Sequence, residues 1–156
     1  MRYDKYSYRF AEEILNSKLE LKKEIEDIIR QIDAKTFQGN EDKPHDIIKR
    51  AFINKGWSEE EIISEKIKMK HDLFKQRIAI EIETSHIVHT YKDYLKFLLS
   101  FNEDKIDVGI LIVYSDSYVK KYRLGSDKPK LSKVKKDLNL LRTVVPVPIY
   151  VIGLEE

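Results

Sequence analysis

The sequence predicts a single α/β (α+β) domain over residues 1–156, a mixed central β-sheet flanked by helices. Three observations carry this expectation. Apolar residues recur at threes and fours in 11–32 and again in 87–101, the spacing of amphipathic helices. Isoleucine and methionine alternate with charged residues between Lys66 and Glu83, the spacing of strands. Asp107-Val108-Gly109-Ile110-Leu111-Ile112-Val113 is almost continuously apolar, as a strand covered on both faces would be.

Each element follows from local pattern. Ala11, Ile14, Leu15, Leu19, Leu21, Ile25, Ile28, Ile29 and Ile32 share one face of a long first helix. A loop from Phe37-Gln38-Gly39-Asn40 to Pro44 separates it from a second helix, which begins at Asp46, carries Ile47, Ile48, Ala51 and Phe52, and stops at Lys55-Gly56. Glu59 to Glu65 is read as a short third helix. Ile67 and Met69 then alternate with Lys66, Lys68 and Lys70 toward His71-Asp72. After a turn near Lys75-Gln76, Ile78, Ile80 and Ile82 alternate with Ala79, Glu81 and Glu83, which suggests a strand pair. Tyr91, Tyr94, Leu95 and Leu98 restore helical spacing. The 107–113 strand, a helix from Ser132 to Leu141 and a last strand from Val144 to Ile152, with Pro146 and Pro148 at its entry, complete the chain.

Composition excludes several chemistries. The chain has no cysteine, hence no disulfide, thiolate metal site or cysteine nucleophile. No glycine-rich phosphate loop, GxSxG elbow or HExxH pattern is present. The first six residues lack an apolar leader, and Val108 to Tyr114 is too short to span a bilayer, so a cytoplasmic protein without a membrane partner is expected. The 29 basic and 27 acidic residues leave a net charge of only +2, which taken alone argues against nucleic-acid binding. The distribution argues otherwise. Residues 71–116 carry five basic against eight acidic side chains, whereas 117–143 carry nine basic against two acidic. A solvated lysine-rich helix face would give the same run.

Asp72, Glu81 and Glu83 are the strongest candidates for chemistry. Residues two apart on a strand share a face, so Glu81 and Glu83 project together, and a hairpin turning near 74–77 brings Asp72 beside Glu81. Three carboxylates converging at a strand end repel one another unless a cation intervenes. Oxygen donors alone suit a hard ion such as Mg²⁺, or Mn²⁺ as a substitute. An ordinary half-exposed strand also alternates isoleucine with glutamate. His71, His86 and His89 lie near these acids, but without cysteines they make a poor zinc site.

The order of these features resembles the PD-(D/E)xK nucleases in their Glu-x-Glu form, with Asp72 followed after eight residues by Glu81-Ile82-Glu83. It is similar in particular to the BglII/BstYI-type of type II restriction endonucleases. Ala11-Glu12-Glu13-Ile14-Leu15-Asn16, Asp72-Leu73-Phe74-Lys75 and Val147-Pro148-Ile149-Tyr150-Val151-Ile152-Gly153-Leu154 look like that family's landmarks, in order. The resemblance implies a restriction-endonuclease-like core and a homodimeric, Mg²⁺-dependent enzyme of a restriction-modification system. Such an enzyme hydrolyses phosphodiester bonds of double-stranded DNA at a short palindrome, with a GATC core expected.

By the same resemblance Asp72, Glu81 and the main-chain carbonyl of Ile82 hold the metal. Glu83 stands where the wider superfamily has lysine and the BglII-type has glutamine. That departure, similar to the BamHI variant, leaves it open as general base or further ligand. Ser85 and His86 fall where the family contacts DNA, followed by Lys120, Lys121, Arg123, Ser126, Asp127 and Lys128 in the basic segment. Two other functions compete: a nuclease of the same chemistry acting on repair or recombination structures, and a DNA-binding module without catalysis.

Overall fold

The computed structural model describes residues 1–37, 43–59, 61–64 and 68–156. Its elements are β1 (Arg2–Tyr8), α1 (Ala11–Asn16), α2 (Leu19–Gln31), a 3₁₀ turn (Ala34–Phe37), α3 (Pro44–Ile53), β2 (Ser58–Glu59), β3 (Ile62–Ser64), β4 (Met69–Lys70) and β5 (Leu73–Lys75). After these come β6 (Ile78–Ile82), α4 (His89–Asn102), β7 (Val108–Tyr114), α5 (Asp116–Lys121), α6 (Leu131–Leu140) and β8 (Ile149–Glu155). Six strands form the main sheet in the order β1-β8-β7-β6-β5-β2, and β3 pairs with β4 apart from it. The centre β6-β7-β8 is parallel and the flanking pairs are antiparallel, so the sheet is mixed as the sequence predicts.

Both faces of the sheet are covered. Ile78, Ile80, Ile82, Ile110, Ile112 and Ile152 pack under α1, α2 and α3. Ala79, Leu111, Val113, Ile149 and Val151 pack under α4 and α6 through Tyr94, Phe97, Val134 and Leu138. All five residues of β6 are buried, Glu81 included. The alternation of β6 therefore does not mark one wet face; it sorts isoleucines to one core and Ala79 and Glu81 to the other. Gly109 lets α4 approach closely, since a Cβ there would lie 2.6 Å from the Phe97 ring.

Several sequence expectations need correction. The long first helix is two helices, because Lys18 leaves helical geometry (φ −119°, ψ 49°) and Ser17 Oγ bonds back to the Ile14 carbonyl. The helix expected over 59–65 is not formed by the described residues, where Ser58–Glu59 and Ile62–Ser64 are extended; residues 60 and 65 lie outside them. Met69–Lys70 pairs with β3 rather than with β6, and Lys66 and Ile67 lie outside the described residues. The partner of β6 is β5, with Leu73 opposite Ile80 and the turn at Gln76-Arg77, both at positive φ. The last strand begins at Ile149 rather than Val144, and β1 and α5 were not anticipated.

Candidate active site at the end of the parallel strands

The parallel strands β6 and β7 deliver their C-terminal residues to one end of the sheet. Continuing the β5–β6 register by one step from Leu73↔Ile80 sets Asp72 opposite Glu81. The Asp72 carboxylate accepts the Ile82 N–H at 2.9 Å, and its Oδ2 lies 3.4 Å from His45 Nε2 of α3. Burial alone would raise the Asp72 pKa, but the His45 and Ile82 donors outweigh it and hold the carboxyl below its usual range. In return Asp72, aided by Asp46, pulls His45 up to about 9.

Glu81 is fully buried and points toward α4. One oxygen meets His71 Nδ1 at 2.6 Å, and the other accepts from Lys96 Nζ. His71 stacks on Phe97 and meets Ser100 Oγ at 2.6 Å through Nε2. Burial, assisted by the Lys96 charge, depresses the His71 pKa to about 3 and keeps the ring neutral. A neutral ring carries one N–H. Donation from Nδ1 to Glu81 and acceptance at Nε2 from Ser100 satisfies all three groups.

Burial and the nearby Asp72 charge push Glu81 up to about 8, against the pull of Lys96. Asp93, 3.5 Å from Lys96 Nζ, is raised well above the ordinary aspartate value by burial and by the charge of Glu81. Burial opposes the charge of Lys96, yet Glu81 and Asp93 leave its pKa raised.

Glu83 leaves the strand differently. Its Oε1 accepts the Ser85 N–H (2.7 Å), the Ser85 hydroxyl (2.6 Å) and the His86 N–H (3.1 Å), and its Oε2 lies 3.5 Å from His89 Nδ1. The three candidate carboxylates thus sit at one strand end without sharing a centre. Among the described residues no three His, Asp or Glu side chains converge on a point as metal ligands would. The expected convergence fails because each carboxylate has its own donors, which relieve the mutual repulsion separately.

Asp72, Ile82, Glu83, Asp93, Lys96 and His45 line a cleft of about 410 Å³ at this end, with Glu81 behind its wall. The donor set fits a hard divalent cation. Carboxylates of Asp46, Asp72, Glu83 and Asp93 line the cleft, with Glu81 behind them, among Lys43, Lys92, Lys96, His45 and His89; burial and neighbouring carboxylates raise the pKa values of Glu81 and Asp93, a crowding of negative charge that a cation would also relieve.

The structure also brings the candidate DNA contacts partly together. Ile87 N–H donates to the Asp127 carbonyl at 2.7 Å, Lys128 Nζ donates to the Ser85 carbonyl at 2.8 Å, and His86 lies 3.8 Å from Asp127. Ser85, His86, Asp127 and Lys128 therefore form one two-loop surface beside the cleft, with Ser126 exposed next to Asp127. Lys120 and Lys121 belong to α5, which follows β7 at the same sheet end; Lys121 is paired with Glu156, and Arg123 is exposed at φ 51°. The rest of the basic run does not form a single face. Lys133 pairs with Asp137, and Lys135 lies over the Tyr6 ring.

Asp93, Lys96 and His45 were missed from the sequence. Thr90, Asp93, Lys96 and Ser100, all buried on α4, recur at threes and fours, and that polar stripe was a usable signal. Nothing local pointed to His45, which only the packing of α3 brings to Asp72.

Carboxylates at the ends of parallel strands, in a cleft bordered by basic and hydroxyl side chains, are an arrangement suited to a hydrolase that acts on a phosphate backbone. Two solved structures share the fold. The restriction endonuclease BglII complexed with a DNA 16-mer aligns with a TM-score of 0.79 at 20% identity, over 100% of this chain and 79% of that one. Free BglII aligns with a TM-score of 0.70 at 20% identity, over 100% of this chain and 80% of that one. The chain belongs to the restriction endonuclease BglII/BglIII family, which matches it over residues 3–154. No curated protein sequence matches it. Family membership makes the chain a site-specific deoxyribonuclease.

Proposed function

We propose that the chain is a type II restriction endonuclease of the PD-(D/E)xK superfamily, Glu-x-Glu form, which hydrolyses double-stranded DNA at a short palindrome with a GATC core. The single observation that carries this reading is the cleft holding Asp72, Ile82, Glu83 and Asp93 beside the Ser85–Lys128 surface, on a chain of this family. Asp72, Glu81 and the main-chain carbonyl of Ile82 would hold Mg²⁺, with Mn²⁺ as a substitute. When bound, such an ion polarises a phosphoryl oxygen and lowers the pKa of water.

The chain's own residues do the rest. His45 and the Ile82 N–H keep Asp72 ionised, and Lys96 and His71 fix the orientation of Glu81. Lys96, at the cleft wall, supplies the positive charge that a lysine at the Glu83 position would have given. Ser85, His86, Ser126, Asp127 and Lys128 would meet base edges or phosphates, and Lys120, Lys121 and Arg123 the backbone.

A homodimer follows from reading a palindrome with two-fold symmetry. Val88, Tyr91 and Leu95, exposed at spacings of three and four at the start of α4 and along it, support that helix as the dimer face. Among the described residues no helix is long and apolar enough to cross a membrane. Incubating the purified chain with plasmid and Mg²⁺ tests the reading. Discrete fragments whose ends map to one palindrome are expected, and no cleavage with any divalent ion would refute it. A smear, or preference for branched DNA, would instead favour the repair or recombination reading.

A further inference from the structure

We infer that His86 and Asp127 determine specificity as one donor–acceptor pair: the His86 ring gives its Nε2 hydrogen to a base acceptor, and the Asp127 carboxylate takes a hydrogen from the exocyclic amine beside it. The inference rests on the nuclease reading above and deepens it. The tautomer of His86 follows from one contact. Nδ1 accepts the Val88 N–H at 3.2 Å, which requires its lone pair, so the ring hydrogen is on Nε2. Nε2 stands 3.8 Å from Asp127 Oδ2, too far for a hydrogen bond. Donor and acceptor therefore lie side by side, and neither is used by the other. Their side chains are 44% and 49% exposed, open to a third party, and among the described residues Asp127 has no other charged partner. A carboxylate gains nothing from a phosphate, so beside a DNA cleft Asp127 is the group that points to a base edge.

Main-chain bonds hold the pair at this spacing. Ile87 N–H donates to the Asp127 carbonyl at 2.7 Å, and Lys128 Nζ donates to the Ser85 carbonyl at 2.8 Å. Lys128 N–H closes the turn on the Gly125 carbonyl at 3.1 Å, and Tyr114 N–H, at the end of β7, donates to the Pro129 carbonyl at 3.2 Å. Gly125 leaves room for the carboxylate, since a Cβ there would lie 2.3 Å from Asp127 Oδ1. Such a pair selects one base chemistry. In the major groove adenine N6 and cytosine N4 are the amines, and each pairs with a carbonyl oxygen about 3 Å away. A donor beside an acceptor fits an amine beside an acceptor. Where a keto base takes the place of the amine, the Asp127 lone pairs meet lone pairs. The base facing Asp127 is thus adenine or cytosine.

The test measures binding to the mapped site by fluorescence anisotropy without divalent ion, so that cleavage does not enter. Duplexes carry, one position at a time, purine in place of adenine or pyrimidin-2-one in place of cytosine, which delete the amine. One such deletion in each half-site is expected to weaken wild type by about 5- to 150-fold and Asp127→Ala by less than about twofold. Whether the adenine or the cytosine duplex shows it identifies the base. Gly125→Ala, which keeps the carboxylate but displaces it, is expected to lose the same discrimination, and His86→Phe to relax preference at the same base pair. Equal penalties in wild type and Asp127→Ala for every deletion would overturn the inference. A wild type indifferent to every amine deletion would overturn it without any variant, should Asp127→Ala fail to fold. Wild type that neither cuts nor binds DNA defeats the nuclease reading as well, an outcome distinct from a wild type that cuts one palindrome and ignores its amines.

Discussion

Replacing Lys96 by methionine removes the ammonium that donates to Glu81 and lies 3.5 Å from Asp93, while keeping an aliphatic stem of similar length. Lys96 is 8% exposed, Glu81 0% and Asp93 6%, so water cannot replace the lost charge. Removing one partner of a buried ion pair costs about 3–5 kcal/mol when the other stays charged. For a chain of this size that is a drop in Tm of between about 6 and 20 °C. The cost depends on pH. Glu81 ordinarily titrates at 4.5 and in the folded protein at about 8. Between those values the folded state holds a proton that the unfolded chain releases, so this contribution is fully present below pH 4.5 and is lost as pH rises to about 8.

Without Lys96 the Glu81 pKa rises further, so the variant suffers most where wild-type Glu81 is ionised. The deficit is expected to be about 2 kcal/mol larger at pH 9.5 than at pH 6, at about 1.4 kcal/mol per pH unit above the wild-type pKa, while Glu81 of the variant keeps its proton. Thermal unfolding followed by circular dichroism in EDTA, at both pH values, measures it. Adding Glu81→Gln to Lys96→Met is expected to restore most of the loss, since the unpaired buried charge goes. An unchanged Tm for Lys96→Met, or an equal loss at both pH values, would refute the buried pair as described.

Gly109→Ala is expected to lower Tm by several degrees, through about 1–3 kcal/mol of overpacking against Phe97, and Phe97→Leu in the same chain to return part of it; no loss would mean α4 is not seated as seen. If Lys120 and Lys121 touch phosphates, alanine at each lowers the slope of log K against log salt by about 0.9, read by fluorescence anisotropy; an unchanged slope removes α5 from the DNA surface. Leu95→Glu puts a charge in the exposed α4 stripe and is expected to yield monomers in sedimentation equilibrium, whereas a persisting dimer places the interface elsewhere.

The central sheet was legible because β6 and β7 carry patterns that few other structures accommodate. Edges and turns were harder. β1 is an edge strand with Arg2, Asp4 and Lys5 among its seven residues, and charges that protect an edge erase the alternation by which strands are read. β5 has only three residues, so Met69–Lys70 looked like the partner of β6 until register decided the matter. In the site, Asp72, Glu81 and Glu83 were visible as acids at strand spacing, but not their separate donors. The period of two told that Glu81 and Glu83 share a face; it could not tell that α4 covers that face with Lys96, Asp93 and Ser100. His45 and the contact between residues 85–87 and 127–128 depend on long-range packing, to which no local pattern responds.

Parallel assays of wild type and Asp72→Ala test the central claim most directly, with cleavage followed in Mg²⁺ and binding to the mapped site followed in its absence. The account predicts that the substitution abolishes cutting, with DNA affinity and the folded far-ultraviolet spectrum retained. Normal cutting by Asp72→Ala would contradict it and move the catalytic centre away from this strand end.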